Sequence, residues 1–309
     1  MKLFKSKKAM KLFSLFCATL LSVSTFSGCG AKTDTGSDNV SRLPSQVWGG
    51  CILKNPIRTA PDNIYTDSGI IYDNVPAPFA KMRVVYGITF FAKDDIGDGY
   101  LDLIADVVKQ IFASSEHTDK AKQEAILKKT YEHGGALPVV TNEDVMEETD
   151  DSLFTEYSIC DIVMYESDVR AMEVVEHILH TVTDLGFLLT DPDNFSFFPG
   201  SKAVDFMNEA IDSKYYDSSY YDDMTYEPQE VIDRILEQEF IYWVITSEFD
   251  IQLKYGTHED EWTLQSKEAI AEKMPKLHAW YNDKIADVLS APDTKTLDSI
   301  LLFENNTDE

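Results

Sequence analysis

Over residues 167–186 apolar side chains recur every three or four positions. At about 100° per residue, Ala171, Val174, Val175, Ile178, Leu179, Val182 and Leu185 share one face. The spacing predicts one amphipathic helix, with Ser167 as its N-cap, Asp168 in its first turn and Gly186 as its C-terminal stop. The opposite face carries Glu173, Glu176, His177, His180 and Asp184 within an arc of roughly 100°. Two readings stand for that stripe: a metal or proton-transfer site, or the solvated face of an ordinary amphipathic helix.

Elsewhere the period changes. Residues 82–92 are β-branched and aromatic and read as one buried strand. Asp98 is placed to cap a following helix, and Thr118 a second one that stops at Gly134-Gly135. Residues 137–140 form a short strand, Thr141 or Asn142 begins an acidic helical turn, and residues 154–165 contain another strand. Before these elements, residues 43–78 show no sustained periodicity and read as an irregular lead-in. After residue 186 a helix is expected over 201–211, then a loop crowded with Tyr and Asp over 214–226, read as a packed surface loop rather than a cleft wall. Residues 229–249 form a helix that is apolar nearly all round and therefore central; helices near 266–273 and 276–289 follow. The fold class expected is α+β, a small mixed sheet with helices and then a mainly helical C-terminal half.

The N-terminus adds a compartment. Lys2, Lys5, Lys7, Lys8 and Lys11 precede a short apolar run, the pattern of a secretory signal and too short for a comfortable membrane span. Phe26-Ser27-Gly28-Cys29 resembles a bacterial lipobox. The resemblance implies cleavage before Cys29, lipidation of its thiol, and a membrane partner through that lipid rather than a spanning helix. The expected organisation is a signal over 1–28, a lipidated tether over 29–45, one globular domain over 46–300 and a polar tail over 301–309. Loss of residues 1–28 removes five lysines and no acids, leaving 22 basic and 54 acidic residues, a formal charge of −32. That charge excludes nucleic acid as a partner. Of four cysteines, Cys51 and Cys160 remain in the domain, either as one disulfide or as free buried thiols.

The chemistry narrows quickly. Asp94-Asp95-Ile96-Gly97-Asp98-Gly99 fails as an EF-hand, since Ile96 and Ala105 stand where oxygens are required. No Gly-x-Ser-x-Gly and no Gly-rich phosphate loop occurs. Glu239 is more telling: its helical neighbours are Ile235, Leu236, Tyr242 and Trp243, costly company for an unpaired carboxylate. Histidines on one helix with a Glu from a later helix are a recurrent way to bind Zn²⁺.

Glu176-His177-Ile178-Leu179-His180, together with Glu239, resembles the His-Glu-x-x-His pattern of zincin metallopeptidases of the gluzincin kind, with the first two residue types exchanged. Carried over position by position, the resemblance implies a zincin-like fold and zinc as cofactor. It implies Glu176, His180 and Glu239 as metal ligands, and His177 in the general-base position. The same stretches, with Glu239-Phe240-Ile241-Tyr242-Trp243, look like a family of secreted bacterial lipoproteins without assigned activity, over roughly residues 80–290. Two functions are therefore carried forward. One is an extracytoplasmic, lipid-anchored protein with a divalent-metal site, hydrolytic toward a peptide or small molecule. The other is a lipid-anchored binding or scaffold protein without chemistry.

Overall fold

Between Lys81 and Ala92 the chain turns back on itself. The computed structural model, which describes residues 47–256 and 260–304, splits the single expected strand into β4 (Lys81–Val85) and β5 (Ile88–Ala92), paired antiparallel. Tyr86 and Gly87 form the reversal, both with positive φ (49° and 86°), as a two-residue hairpin turn requires. The turn is hidden in the sequence because a tyrosine, not Asn or Asp, occupies its first left-handed position. The leader, lipobox and tether expected over residues 1–45 lie outside the described residues.

The irregular lead-in contains more order than its pattern suggests. β1 (Val47–Trp48) and β2 (Ile52–Leu53) form a minimal hairpin, and β3 (Asp67–Ile71) is the edge strand beside β4. β6 (Ala136–Val140) and β7 (Val163–Met164) complete a five-stranded sheet in the order β3-β4-β5-β6-β7. The β3–β5 half is antiparallel, while β5–β6 and β6–β7 are parallel. Every residue of β5 and β6 is buried, as expected of central strands covered on both faces. The crossover from β5 to β6 is made by α1 (Asp98–Ile111) and α2 (Lys120–Glu132). Asp98 is the first residue of α1 rather than its cap, and it pairs with Lys81 at 2.8 Å. Asp119, not Thr118, caps α2, accepting from the amides of Ala121 and Lys122.

The strand expected over 154–165 is reduced to the two residues of β7. A helical turn (Leu153–Glu156) precedes it, and the segment between is diverted by a disulfide from Cys160 to Cys51. Of the two thiol readings, the bonded one holds. α3 (Arg170–Thr181) follows, starting two residues later than expected, with Val169 rather than Ser167 at its cap. It does not stop at Gly186. Its chain continues through a π-helical turn (Val182–Phe187) into Leu188–Thr190. Gly186 serves close packing instead: a Cβ there would lie 2.5 Å from Ile126 Cγ2 and 2.9 Å from the Ile126 carbonyl oxygen on α2. Gly186→Ala is expected to destabilise by about 1–3 kcal/mol through overpacking, measured by urea unfolding.

The C-terminal half is helical. The helix expected over 201–211 is α4 (Lys202–Asp212), with Ser201 as its cap. α5 (Gln229–Glu248) carries the central apolar segment and packs on α3. α6 (Lys267–Lys273), capped by Ser266, then α7 (Pro275–Lys284) and α8 (Thr294–Leu301) close the fold. The architecture is α+β, a mixed sheet followed by helices.

His133, the C-cap of α2, is 4% exposed, and its Nδ1–H donates to the Leu53 carbonyl at 2.7 Å. Burial holds its pKa below the ordinary histidine value. The unfolded chain therefore binds the proton more readily than the folded one. The contribution is complete above about pH 6.5 and is lost as pH falls through the folded value. The urea midpoint is expected to fall more between pH 7 and 5 in the native protein than in His133→Asn, whose amide donates to the same carbonyl.

Candidate metal centre

Glu176 and His180 stand one turn apart on α3, so their side chains leave the same face. α5 crosses that face and brings Glu239 to it. His180 is 1% exposed, and its Nε2 has no hydrogen-bond partner. That nitrogen lies 3.8 Å from Glu239 Oε2. One ligand atom from each of Glu176, His180 and Glu239 falls within 4.8 Å of the other two. Donors around a tetrahedral zinc sit roughly 3.3–3.5 Å apart, so small side-chain rotations close the trio on an ion. A buried lone pair directed at two carboxylates, with no proton partner in the protein, is the donor set a divalent cation completes.

The other ring nitrogen is held from behind. His180 Nδ1 lies 3.0 Å from Asp161 Oδ2, which also accepts from Gln238 Nε2 at 3.0 Å. With its proton on Nδ1 the ring donates to Asp161 and keeps the Nε2 lone pair for a ligand, the tautomer that metal-bound histidines adopt. Asp161 sits directly after the disulfide and just before β7, an acid within an otherwise apolar strand pattern. That misplaced acid was the available signal for it in the sequence. Burial pushes the Asp161 carboxyl upward, but the His180 hydrogen bond and the charges of His177, His180 and Arg234 outweigh this and hold it below the ordinary value.

Glu176 is pushed up to about 8, first by burial and then by the charge of Glu239. Two carboxylates facing each other without a cation are costly, and protonating one relieves the cost. Tyr242, on α5, has its ring edge-on to His180 with centroids 5.6 Å apart, and it faces both Glu176 and Glu239.

His177 occupies a different position from the trio. Its Nε2 lies 3.1 Å from Glu173 Oε1 and its Nδ1 3.7 Å from Asp161 Oδ1. Burial works against its charge, yet Glu173, Asp161 and Glu176 together lift its pKa to about 10. An imidazolium has no lone pair to accept a proton. Asp161, His177 and His180 form a second cluster of ligand-type atoms within 4.8 Å of one another, on the opposite side of the His180 ring.

Two further parts of the surroundings were not foreseen. Tyr216 and Tyr221, from the Tyr- and Asp-rich segment, lie close enough for the charges of Glu239 and Glu261 to raise both phenols well above their ordinary value, after burial as the larger cause. Tyr221 donates to Glu261 Oε1 at 2.5 Å, so this segment is a wall of the site rather than a detached surface loop. The polar stripe of α3 also dissolves. Asp184, placed by helical spacing on the polar stripe, is 2% exposed and pairs with buried Arg234 at 2.8 Å. The π-helical turn puts it there by adding a residue to the winding.

Among the described residues, Asp161, His177, His180, Glu176 and Glu239 are the groups able to hold a metal ion. No protein-family model, curated protein or solved structure matches the chain.

Proposed function

We propose that this protein is an extracytoplasmic, lipid-anchored metalloprotein that holds one divalent cation, Zn²⁺ by donor chemistry, at Glu176, His180 and Glu239. The observation that carries the reading is the orphaned Nε2 of buried His180, facing two carboxylates from two helices. Two carboxylate oxygens and one imidazole leave a position free for a substrate or water, as in catalytic rather than structural zinc sites. Bound there, the ion supplies Lewis acidity toward a carbonyl or a water. The protein groups do the rest: Asp161 orients the imidazole, and the Tyr242 hydroxyl stands beside Glu176 to donate to an oxygen entering the site. The resemblance to zincins supports hydrolysis of a peptide or another acyl substrate.

One observation favours a different reading of the same site, a metal-holding binding protein without turnover. His177 stands in the general-base position by sequence, yet it is enclosed by carboxylates that keep it protonated. Metal analysis of the purified protein tests the shared premise: about one equivalent of zinc is expected, and none ends it. A panel of peptide and ester substrates, run with and without chelator, separates the readings.

The anchor rests on the N-terminal pattern, and the disulfide is in keeping with an oxidising compartment. Cys29→Ala is expected to move the protein from the membrane fraction to the soluble fraction, because one residue carries the lipid. Unchanged fractionation rejects lipidation at Cys29.

A further inference from the structure

The Cys51–Cys160 disulfide and Arg234 close a ring of contacts on the back of His180. From Cys160 the route is immediate: the next residue, Asp161, places Oδ2 3.0 Å from His180 Nδ1. From Cys51 it runs through the β1–β2 turn. The Gly49 carbonyl accepts from Arg234 Nε at 2.8 Å, and the Gly49 amide donates to Glu230 Oε1 at 2.9 Å. Arg234 Nη1 donates to Asp184 Oδ2 at 2.8 Å and also to Gln238 Oε1. Gln238 Nε2 then donates to Asp161 Oδ2 at 3.0 Å. The two routes meet on that carboxylate oxygen, which also accepts from His180 Nδ1–H.

The docking of the turn on Arg234 is tight. A Cβ on Gly49, whose φ is +59°, would lie 2.7 Å from Arg234 Cδ. The ends of this ring have short strand ladders. β1, β2 and β7 are two residues long each, too little ladder to fix a register alone.

We propose that Arg234 and the Cys51–Cys160 disulfide are positioning elements of the metal centre: they hold Asp161 against His180 Nδ1, with Gln238 donating to the Asp161 carboxylate, so that Nε2 is aimed at Glu176 and Glu239. The inference rests on the metal reading above and adds to it a dependence on thiol pairing. The trio is complete only in a chain whose two cysteines have joined. Removing a group that orients a ligating histidine typically costs 10–100-fold in metal affinity.

The experiment is Zn²⁺ affinity by chelator competition, with the visible spectrum of the Co²⁺-loaded protein as the readout of ligand geometry. Native full chain is compared with Cys51→Ser/Cys160→Ser, which carries no thiols in the domain to compete for the ion, and with Arg234→Lys, which keeps the charge but not the planar reach in three directions. Both variants are expected to bind Zn²⁺ at least tenfold more weakly and to alter the Co²⁺ spectrum while still unfolding cooperatively. Native affinity and spectrum in the folded variants overturn the proposal and leave the metal reading standing. If the double serine variant does not fold, Arg234→Lys decides by the same two readouts. A native chain that binds no Zn²⁺ at all sinks the metal reading itself, and the positioning role with it.

Discussion

Removal of the Cys51–Cys160 disulfide is expected to lower the unfolding free energy by about 4–5 kcal/mol in the chain-entropy treatment. The bond joins residues 109 apart in sequence, so it closes most of the sheet and its crossover into one covalent loop. The loss falls on the unfolded chain, which regains the freedom of that loop. Against a typical total of about 5–15 kcal/mol, the effect is large enough to shift the urea midpoint well beyond error. The denaturant slope should rise slightly as the unfolded state expands. The measurement is urea unfolding of Cys51→Ser/Cys160→Ser beside the native chain. A loss below about 1 kcal/mol, outside the range usual for native disulfides of this kind, would show that the cross-link does not constrain the chain in solution.

The second large effect is expected at Glu239. Zinc that binds the folded chain alone stabilises it by about 4 kcal/mol when the free ion is a thousandfold above its dissociation constant. In a domain of this size that is a rise in Tm of roughly 10 °C. Glu239→Gln keeps the side-chain volume and removes an anionic donor, so the zinc-dependent rise should vanish. The metal-free variant should be no less stable than the metal-free native protein, because Glu176 no longer faces a second charge. Asp161→Asn should weaken the zinc effect without abolishing it, since Asp161 acts on the ligand and not on the ion. The reverse order has a distinct meaning. If Asp161→Asn abolishes the rise and Glu239→Gln leaves it intact, the ion sits on the Nδ1 side of His180, among Asp161, His177 and His180.

The periodic pattern of residues 171–185 was enough to place Glu176 and His180 on one face. That relation depends only on helical winding, which local chain chemistry determines. The central helix that carries Glu239 was legible for the same reason, since its apolar run leaves no solvated face. Which acid on that helix matters was less secure. Glu237, two residues before Glu239, is 2% exposed, while the Glu239 side chain is 17% exposed. Apolar neighbours at helical spacing describe the helix's own surface. The packing of α3, β7 and the N-terminal turn decides what else covers it.

Sequence by itself therefore determined the elements that repeat at short range: the α+β order, the amphipathic α3 and the buried α5. It also supplied the residue types of the trio. Tertiary structure alone decided the rest. Tyr86-Gly87 reverses a run that reads as one strand, because the hairpin is stabilised by pairing between strands. Gly186 continues a helix rather than ending it, because α2 approaches too closely for a Cβ. Asp161, Gln238 and Arg234 converge on His180 from segments far apart in the chain, and no local period encodes that meeting. Helical winding is a property of neighbours in sequence. The back of a ligand is built from neighbours in space, and only the closed fold brings them together.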